Sequence, residues 1–396
     1  MAAPNHQLAA AGTTIFEAMS ALARAHDAVN LGQGFPDDRG PEALRAAAAA
    51  YVVDGHNQYP PMMGLPALRQ AVAEHDRRTY GLDLDWQTEV LITSGATEAL
   101  LDCFLGLLEV GDEVVLLEPA YDTYAPVIRR LGAVPVAVRL TPPDWTLPRA
   151  ALTAALSPRT KAIVINSPMN PTGQVFAPAD LAWLAAELVA RDVLAICDEV
   201  YEHVTFDGAR HVPLMTLPGM RDRAVRIGSA GKTFSLTGWK VGYVVGAPHL
   251  IHPIAKAHQL VTFTTPPNLQ HAVALGLSDD VHYRDLAAAM APNRARLADG
   301  LRRLGAEVVA GAGTYFLVAD VAAWMAPDET DVAFAQRLVV EAGVVVIPMS
   351  AFYQADPPRT LVRFCFCKAP TTIDAALTRL AAWAERARTS RPPPAK

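Results

Sequence analysis

The sequence predicts an α/β protein built on a mainly parallel sheet, followed by an α+β block. Short runs of aliphatic and β-branched residues recur through the middle of the chain, at 89–94, 112–117, 134–140, 160–166, 193–197, 224–228 and 241–246. Stretches of helical character lie between several of them, at 96–108, 121–131 and 178–191, the last opened by a proline suited to a first turn. Strands that are apolar on both faces and spaced by helices form a parallel sheet covered on both sides. After Asp280 the pattern changes. A long helical stretch is predicted over 281–304 with Pro292 as a kink, then strands at 315–321, 344–347 and 361–366, then an amphipathic helix over 371–387. The tail 391–396 (RPPPAK) is expected to be disordered.

Composition narrows the class. A chain of 396 residues is too long for one small core. Its charge, 34 basic against 40 acidic residues or −6, has no basic patch and argues against nucleic acid as the main partner. No run of about 18 apolar residues suggests a membrane span. Residues 1–11 hold neither Lys nor Arg and no apolar core of signal-peptide length, so a cytoplasmic protein is expected. Of four cysteines, Cys103 and Cys197 lie in apolar runs, while Cys365 and Cys367 alternate along a predicted strand and share one face. No further Cys pair or His cluster accompanies them, so no metal site is expected.

Four segments at strand ends, where α/β folds place their sites, carry unusual residues. Ser94-Gly95-Ala96-Thr97 lets backbone N–H groups approach an anion at a helix start, although Ser94 or Thr97 could equally be a plain N-cap. Asn170-Pro171-Thr172-Gly173 also reads as a tight turn. Asp198, in Asp198-Glu199-Val200-Tyr201, closes an apolar strand; a carboxylate there needs a partner unless it faces water. Lysine is scarce, with six in the chain, yet Lys232 and Lys240 stand eight residues apart in a turn-rich stretch from Ser229 to Gly242. A confined amine loses its charge readily and can act as nucleophile or base, whereas a lone lysine is ordinarily solvated. The spacing excludes a Walker phosphate loop.

In order and spacing these segments resemble the class I aminotransferases, pyridoxal-phosphate enzymes with the aspartate-aminotransferase fold, from Thr13 to about Ala387. The resemblance implies a large domain, 45–280, with a mainly parallel seven-stranded sheet between helices. A smaller α+β domain would combine 1–44 with 281–390. By the same likeness Lys232 carries the cofactor as a Schiff base and then shuttles the substrate proton. Asp198 pairs with the pyridine nitrogen, Tyr201 and Asn170 face the ring hydroxyl, and Tyr121 stacks on the ring. Gly95, Ala96, Thr97, Ser229 and Lys240 hold the phosphate, joined by Tyr59 from a partner subunit, which implies a homodimer. Arg363 clamps the substrate α-carboxylate.

The stretch from Val29 to Asp37 and the closing segments 347–353 and 363–368 are similar to the kynurenine, glutamine and methionine aminotransferase branch. They are also similar to bacterial N-succinyldiaminopimelate aminotransferases. In that branch Gly34 helps hold the carboxylate, Phe16 lies over the substrate side chain, and Phe263 matches a pocket aromatic contributed across the dimer. Thr264 stands where animal relatives often have histidine, which weakens kynurenine as the substrate. No second arginine suits a side-chain carboxylate. The expectation is a ping-pong transaminase that moves the amino group of a hydrophobic, aromatic or sulfur-containing amino acid to a 2-oxo acid. The alternatives are N-succinyldiaminopimelate transamination or a cysteine-S-conjugate β-lyase. A cofactor-binding transcription regulator is not expected, since the enzyme pattern begins by Thr13.

Overall fold

The computed structural model describes residues 5, 12–309 and 311–389. The expected disorder of 391–396 falls outside them. In chain order the strands are β1 (Val29–Asn30), β2 (Val90–Thr93), β3 (Glu113–Glu118), β4 (Val134–Arg139), β5 (Thr160–Asn166), β6 (Leu194–Asp198), β7 (Ala224–Ser229) and β8 (Gly242–Gly246). They continue with β9 (Glu307–Val309), β10 (Phe316–Asp320), β11 (Val344–Val345), β12 (Ile347–Pro348) and β13 (Leu361–Cys365).

Seven strands form one sheet in the order β2-β8-β7-β6-β5-β3-β4. Every pairing is parallel except the two made by β8. The sheet is apolar on both faces because both are covered. Along β3, Val114 and Leu116 join one buried core while Val115 and Leu117 join the other. Fully burying each such side chain stabilises the fold by about 1.5–3 kcal/mol. The helices Gly95–Leu107 and Pro248–Val261 pack together over one face, and Pro178–Arg191 contributes to the opposite core. The parallel register sets Asn166 beside Asp198 and Asp198 beside Ile227, so the C-terminal ends of β5, β6 and β7 share one edge.

The remaining strands form two smaller sheets, one of which joins the N- and C-terminal segments. β1 pairs with β11, and β12-β13-β10-β9 form an antiparallel sheet. The single strand expected over 344–347 is therefore two, β11 and β12, serving different sheets. An unbroken Val-Val-Val-Ile run has no period to reveal that break. The helix expected from 281 begins at Leu286, after a short 3₁₀ turn at Asp280–His282 that the Asp279 side chain caps through the Val281 N–H at 3.1 Å. Pro292 lies inside that helix. The helix expected over 121–131 is confined to Tyr124–Arg130, which leaves Tyr121, Asp122 and Thr123 on a loop at the end of β3. Among the described residues no helix is long and apolar enough to cross a membrane.

Candidate active site

The edge formed by the ends of β5, β6 and β7 opens on a cavity of about 420 Å³. Thirteen of the fifteen residues singled out above line it: Phe16, Gly34, Gly95, Ala96, Thr97, Tyr121, Asn170, Asp198, Tyr201, Ser229, Lys232, Lys240 and Arg363. Tyr59 and Phe263 do not. They lie outside it with 82% and 40% of their surface exposed, their rings edge-to-face at 5.7 Å.

The turn after β2 is built for close backbone approach. Gly95 has φ +78° and opens a 13-residue helix whose N-terminus carries partial positive charge. A Cβ on Gly242 would lie 2.6 Å from the Gly95 carbonyl carbon and 2.7 Å from the Ala96 nitrogen, so β8 can pass behind the turn only with glycine there. Lys240, itself left-handed at φ 52°, brings its Nζ to 3.5 Å from Thr97 Oγ1. Ser94 does not cap the helix with its side chain, which the N-cap reading required. Its hydroxyl lies 3.2 Å from Thr265 Oγ1 instead.

Asp198 ends β6 and is buried. Tyr124 donates a 2.5 Å hydrogen bond to its Oδ2, while Oδ1 has no partner. Burial raises its pKa to about 6, opposed by that hydrogen bond. An ordinary surface carboxylate is therefore excluded. Tyr201 packs edge-on against Tyr315 at 5.2 Å, and burial pushes its hydroxyl pKa up.

Lys232 sits on the one-turn helix Ala230–Thr233 that follows β7. Its amine makes no hydrogen bond or ion pair among the described residues and lies about 6 Å from the Tyr201 and Tyr315 ring centres (5.9 and 6.0 Å). Burial lowers its pKa, so the neutral, nucleophilic form is more accessible than on a solvated lysine.

Across the cavity, Arg363 in the middle of β13 is 2% exposed and has no carboxylate partner among the described residues. Its Nη1 donates to Asn170 Oδ1 and its Nη2 to the Gly32 carbonyl, both at 2.7 Å, while Nε is unpartnered. The guanidinium is 4.0 Å from the Phe316 ring centre and 5.3 Å from those of Phe16 and Phe352. Burial lowers its pKa, the sign of a cation short of anionic company. The Asn170 segment is also a turn, with the Gly173 N–H on the Met169 carbonyl at 2.7 Å, so its two readings coexist. A Cβ on Gly34 would meet Phe316 at 2.7 Å, and its carbonyl accepts from the Tyr315 hydroxyl at 2.7 Å.

Sequence reasoning missed Tyr124, Asn166, Asp122 and Phe316. Asn166 donates to the Asp198 carbonyl at 2.8 Å and accepts the Asn170 N–H at 2.7 Å. The signal for it was the one used for Asp198, a polar residue ending an apolar strand. Tyr124 is three residues beyond Tyr121, but its contact with Asp198 joins residues 74 apart in sequence.

A cavity pairing an amine of lowered pKa with a buried, unpaired guanidinium can bind a carboxylate and do amine chemistry beside it. Known proteins agree with that capacity. Residues 26–380 match the family described as aminotransferase class I and II. The chain is 46% identical over 386 residues to a probable N-succinyldiaminopimelate aminotransferase of Mycobacterium tuberculosis, covering 94% of this chain and 97% of that one. It is 36% identical over 398 residues to kynurenine–oxoglutarate transaminase 1 of Rattus norvegicus, covering 92% and 94%. The crystal structure of an Escherichia coli protein identified as a methionine aminotransferase superposes with a TM-score of 0.93 at 40% identity, covering 96% of this chain and 100% of that one. The chain belongs to the class I and II aminotransferase family and is an aminotransferase, an enzyme that acts on amino and oxo acids.

Proposed function

We propose that the chain uses pyridoxal phosphate to transfer the amino group of a hydrophobic, aromatic or sulfur-containing L-amino acid, such as methionine, to a 2-oxo acid in two half-reactions. The observation that carries this is the placement of Lys232 and the unpaired Arg363 on one cavity. The residues present fit the cofactor. Asp198 Oδ1 is a buried acceptor without a partner, suited to a protonated ring nitrogen. The Lys232 amine is free for an aldehyde, and Gly95, Thr97, Ser229 and Lys240 gather where a phosphate would need them. Bound there, the cofactor would supply an aldehyde carbon and a ring able to take up carbanion charge.

The chain's own residues would supply the rest. Lys232, with its lowered pKa, would accept and return the Cα proton. Asp198 would hold a proton at the ring nitrogen, and Tyr124 would fix the carboxylate's orientation through Oδ2. Arg363 would bind the α-carboxylate as a two-point clamp, its plane set by Asn170 and Phe316. Phe16, Phe316 and Tyr121 give the remaining wall an apolar character. Among the described residues the only Lys and Arg side chains on this cavity are Lys232, Lys240 and Arg363, so among them no further cation faces a side-chain carboxylate there.

Tyr59 and Phe263 belong to the same reading. Their exposed, mutually packed rings support a homodimer in which each chain lends both residues to its neighbour's cavity. A large domain over 45–280, a small domain from 1–44 and 281–390, and a cytoplasmic location complete it. The separate sheets support that division. A second reading, N-succinyldiaminopimelate as donor, is favoured by the 46% identity to the mycobacterial protein.

Steady-state kinetics with methionine, glutamine, kynurenine, aspartate and N-succinyldiaminopimelate test the choice. Parallel-line ping-pong patterns with methionine or another apolar donor in front are expected. Aspartate leading by more than about tenfold, some 1.4 kcal/mol in transition-state binding, would overturn it. A lead for N-succinyldiaminopimelate would establish the second reading. Pyruvate released from a cysteine conjugate without any oxo acid would point to β-lyase chemistry.

A further inference from the structure

The turn at Ser94 and the two segments that carry Tyr59 and Phe263 meet at one buried ion cluster. Glu98, in the first turn of the Gly95–Leu107 helix, accepts the Ser94 N–H with Oε2 and the Thr262 hydroxyl with Oε1. The same Oε1 lies 3.0 Å from His258 Nδ1, and His258 Nε2 lies 3.1 Å from the Met62 carbonyl oxygen. Both ring nitrogens thus face acceptors, so both carry protons and His258 is an imidazolium. Asp102, one helical turn beyond Glu98, adds a second carboxylate 3.6 Å from Nδ1, with neither oxygen in a hydrogen bond. Burial alone would lower the His258 pKa, yet the adjacent carboxylates of Asp102 and Glu98 raise it to about 9.

The Met62 and Thr262 arms of this cluster each end near a residue proposed above to serve the neighbour's cavity. Met62 follows Tyr59 by three positions. Thr262 precedes Phe263, which is held left-handed at φ 68° with its N–H on the His258 carbonyl at 2.9 Å. A phenylalanine keeps that conformation only where its surroundings impose it.

We propose that the Glu98–His258 ion pair is a positioning device that ties the phosphate-facing turn to the Tyr59–Phe263 pair, and thereby couples one subunit's site to its neighbour's. This rests on the dimer reading above.

Hybrid dimers test it. One chain is wild type and the other carries Lys232→Ala, so turnover comes from the wild-type chain's lysine while Tyr59 and Phe263 come from the variant chain. Adding His258→Gln to the Lys232→Ala chain is expected to raise KM for methionine roughly tenfold with kcat within about twofold, the size of one charge-assisted hydrogen bond. Thr262→Val, which removes one hydroxyl at an exposed position and cannot be blamed on misfolding, is expected to shift KM the same way by less. Phe263→Ala in the same chain serves as the control. If it raises KM while His258→Gln and Thr262→Val do not, the coupling is wrong and the dimer reading stands. If Phe263→Ala has no effect from the neighbouring chain, both fall. Equilibrium dialysis of inorganic phosphate against the cofactor-free protein reads the other arm. Glu98→Gln is expected to weaken binding several-fold, and unchanged binding would overturn that arm.

Discussion

Arg363 and Asn170 are joined by a 2.7 Å hydrogen bond from Nη1 to Oδ1, which aims a buried guanidinium at the cavity that also holds Lys232. The bond spans 193 residues of sequence and two sheets. It fixes the fork's plane, and in the carboxylate-binding role proposed for Arg363 such preorganisation would lower the cost of binding.

Arg363→Lys keeps the charge and loses the fork. Such a change is not conservative at a two-point site. A loss of roughly 10- to 100-fold in kcat/KM is expected from steady-state kinetics with an amino acid donor. Unchanged kcat/KM would remove Arg363 from the carboxylate site.

Gly242→Ala tests the backbone approach behind the turn at Gly95. The added methyl would fall 2.6 Å from the Gly95 carbonyl carbon, against backbone that has no side-chain end to give way. Overpacking of that kind costs about 1–3 kcal/mol. Denaturant melts should register it, together with weaker pyridoxal phosphate binding. A variant with wild-type stability and affinity would mean that the turn is not held against β8.

Much of this was legible in the sequence because strand ends carry the chemistry. Lys232, Asp198 and Asn170 each end or follow an apolar strand in turn-forming or polar surroundings, and those strands are continuous enough to read. Tyr124 and Asn166 were not legible as partners, since each acts through a contact made only after β3, β5 and β6 are laid side by side. The break between β11 and β12 was hidden for the same reason. Pairing with two different sheets, not local composition, divides that run. The proposed roles of Tyr59 and Phe263 rest on family likeness, because an exposed aromatic has no local signature of a role in a neighbouring chain.

Stability against pH tests the burial of Asp198. Its pKa is raised to about 6, so between about pH 4 and 6 the native cofactor-free protein holds a proton that the unfolded chain has released. Ionising it therefore costs folding free energy as pH rises through that window. Asp198→Asn removes the cost. The variant should exceed wild type by up to about 3 kcal/mol above pH 6, with the gap closing below about pH 4. Equal stabilities at pH 7 would contradict a desolvated carboxylate.

Tyr59→Phe separates assembly chemistry from folding. The ring is 82% exposed in the single chain, so stability should move by no more than about 0.5 kcal/mol. Affinity for pyridoxal phosphate should fall roughly tenfold if the hydroxyl reaches the neighbour's phosphate. Affinity equal to wild type would place Tyr59 outside the site.

The most direct test of the central claim is reduction with borohydride after adding pyridoxal phosphate, followed by peptide mapping, on wild type and Lys232→Ala. A visible absorption band near roughly 360 to 430 nm is expected in the wild type, changed by methionine and fixed by reduction as a single label on Lys232. Lys232→Ala should carry no specific label. A label on Lys240 or another lysine, or no label on a protein that still transaminates, would contradict it.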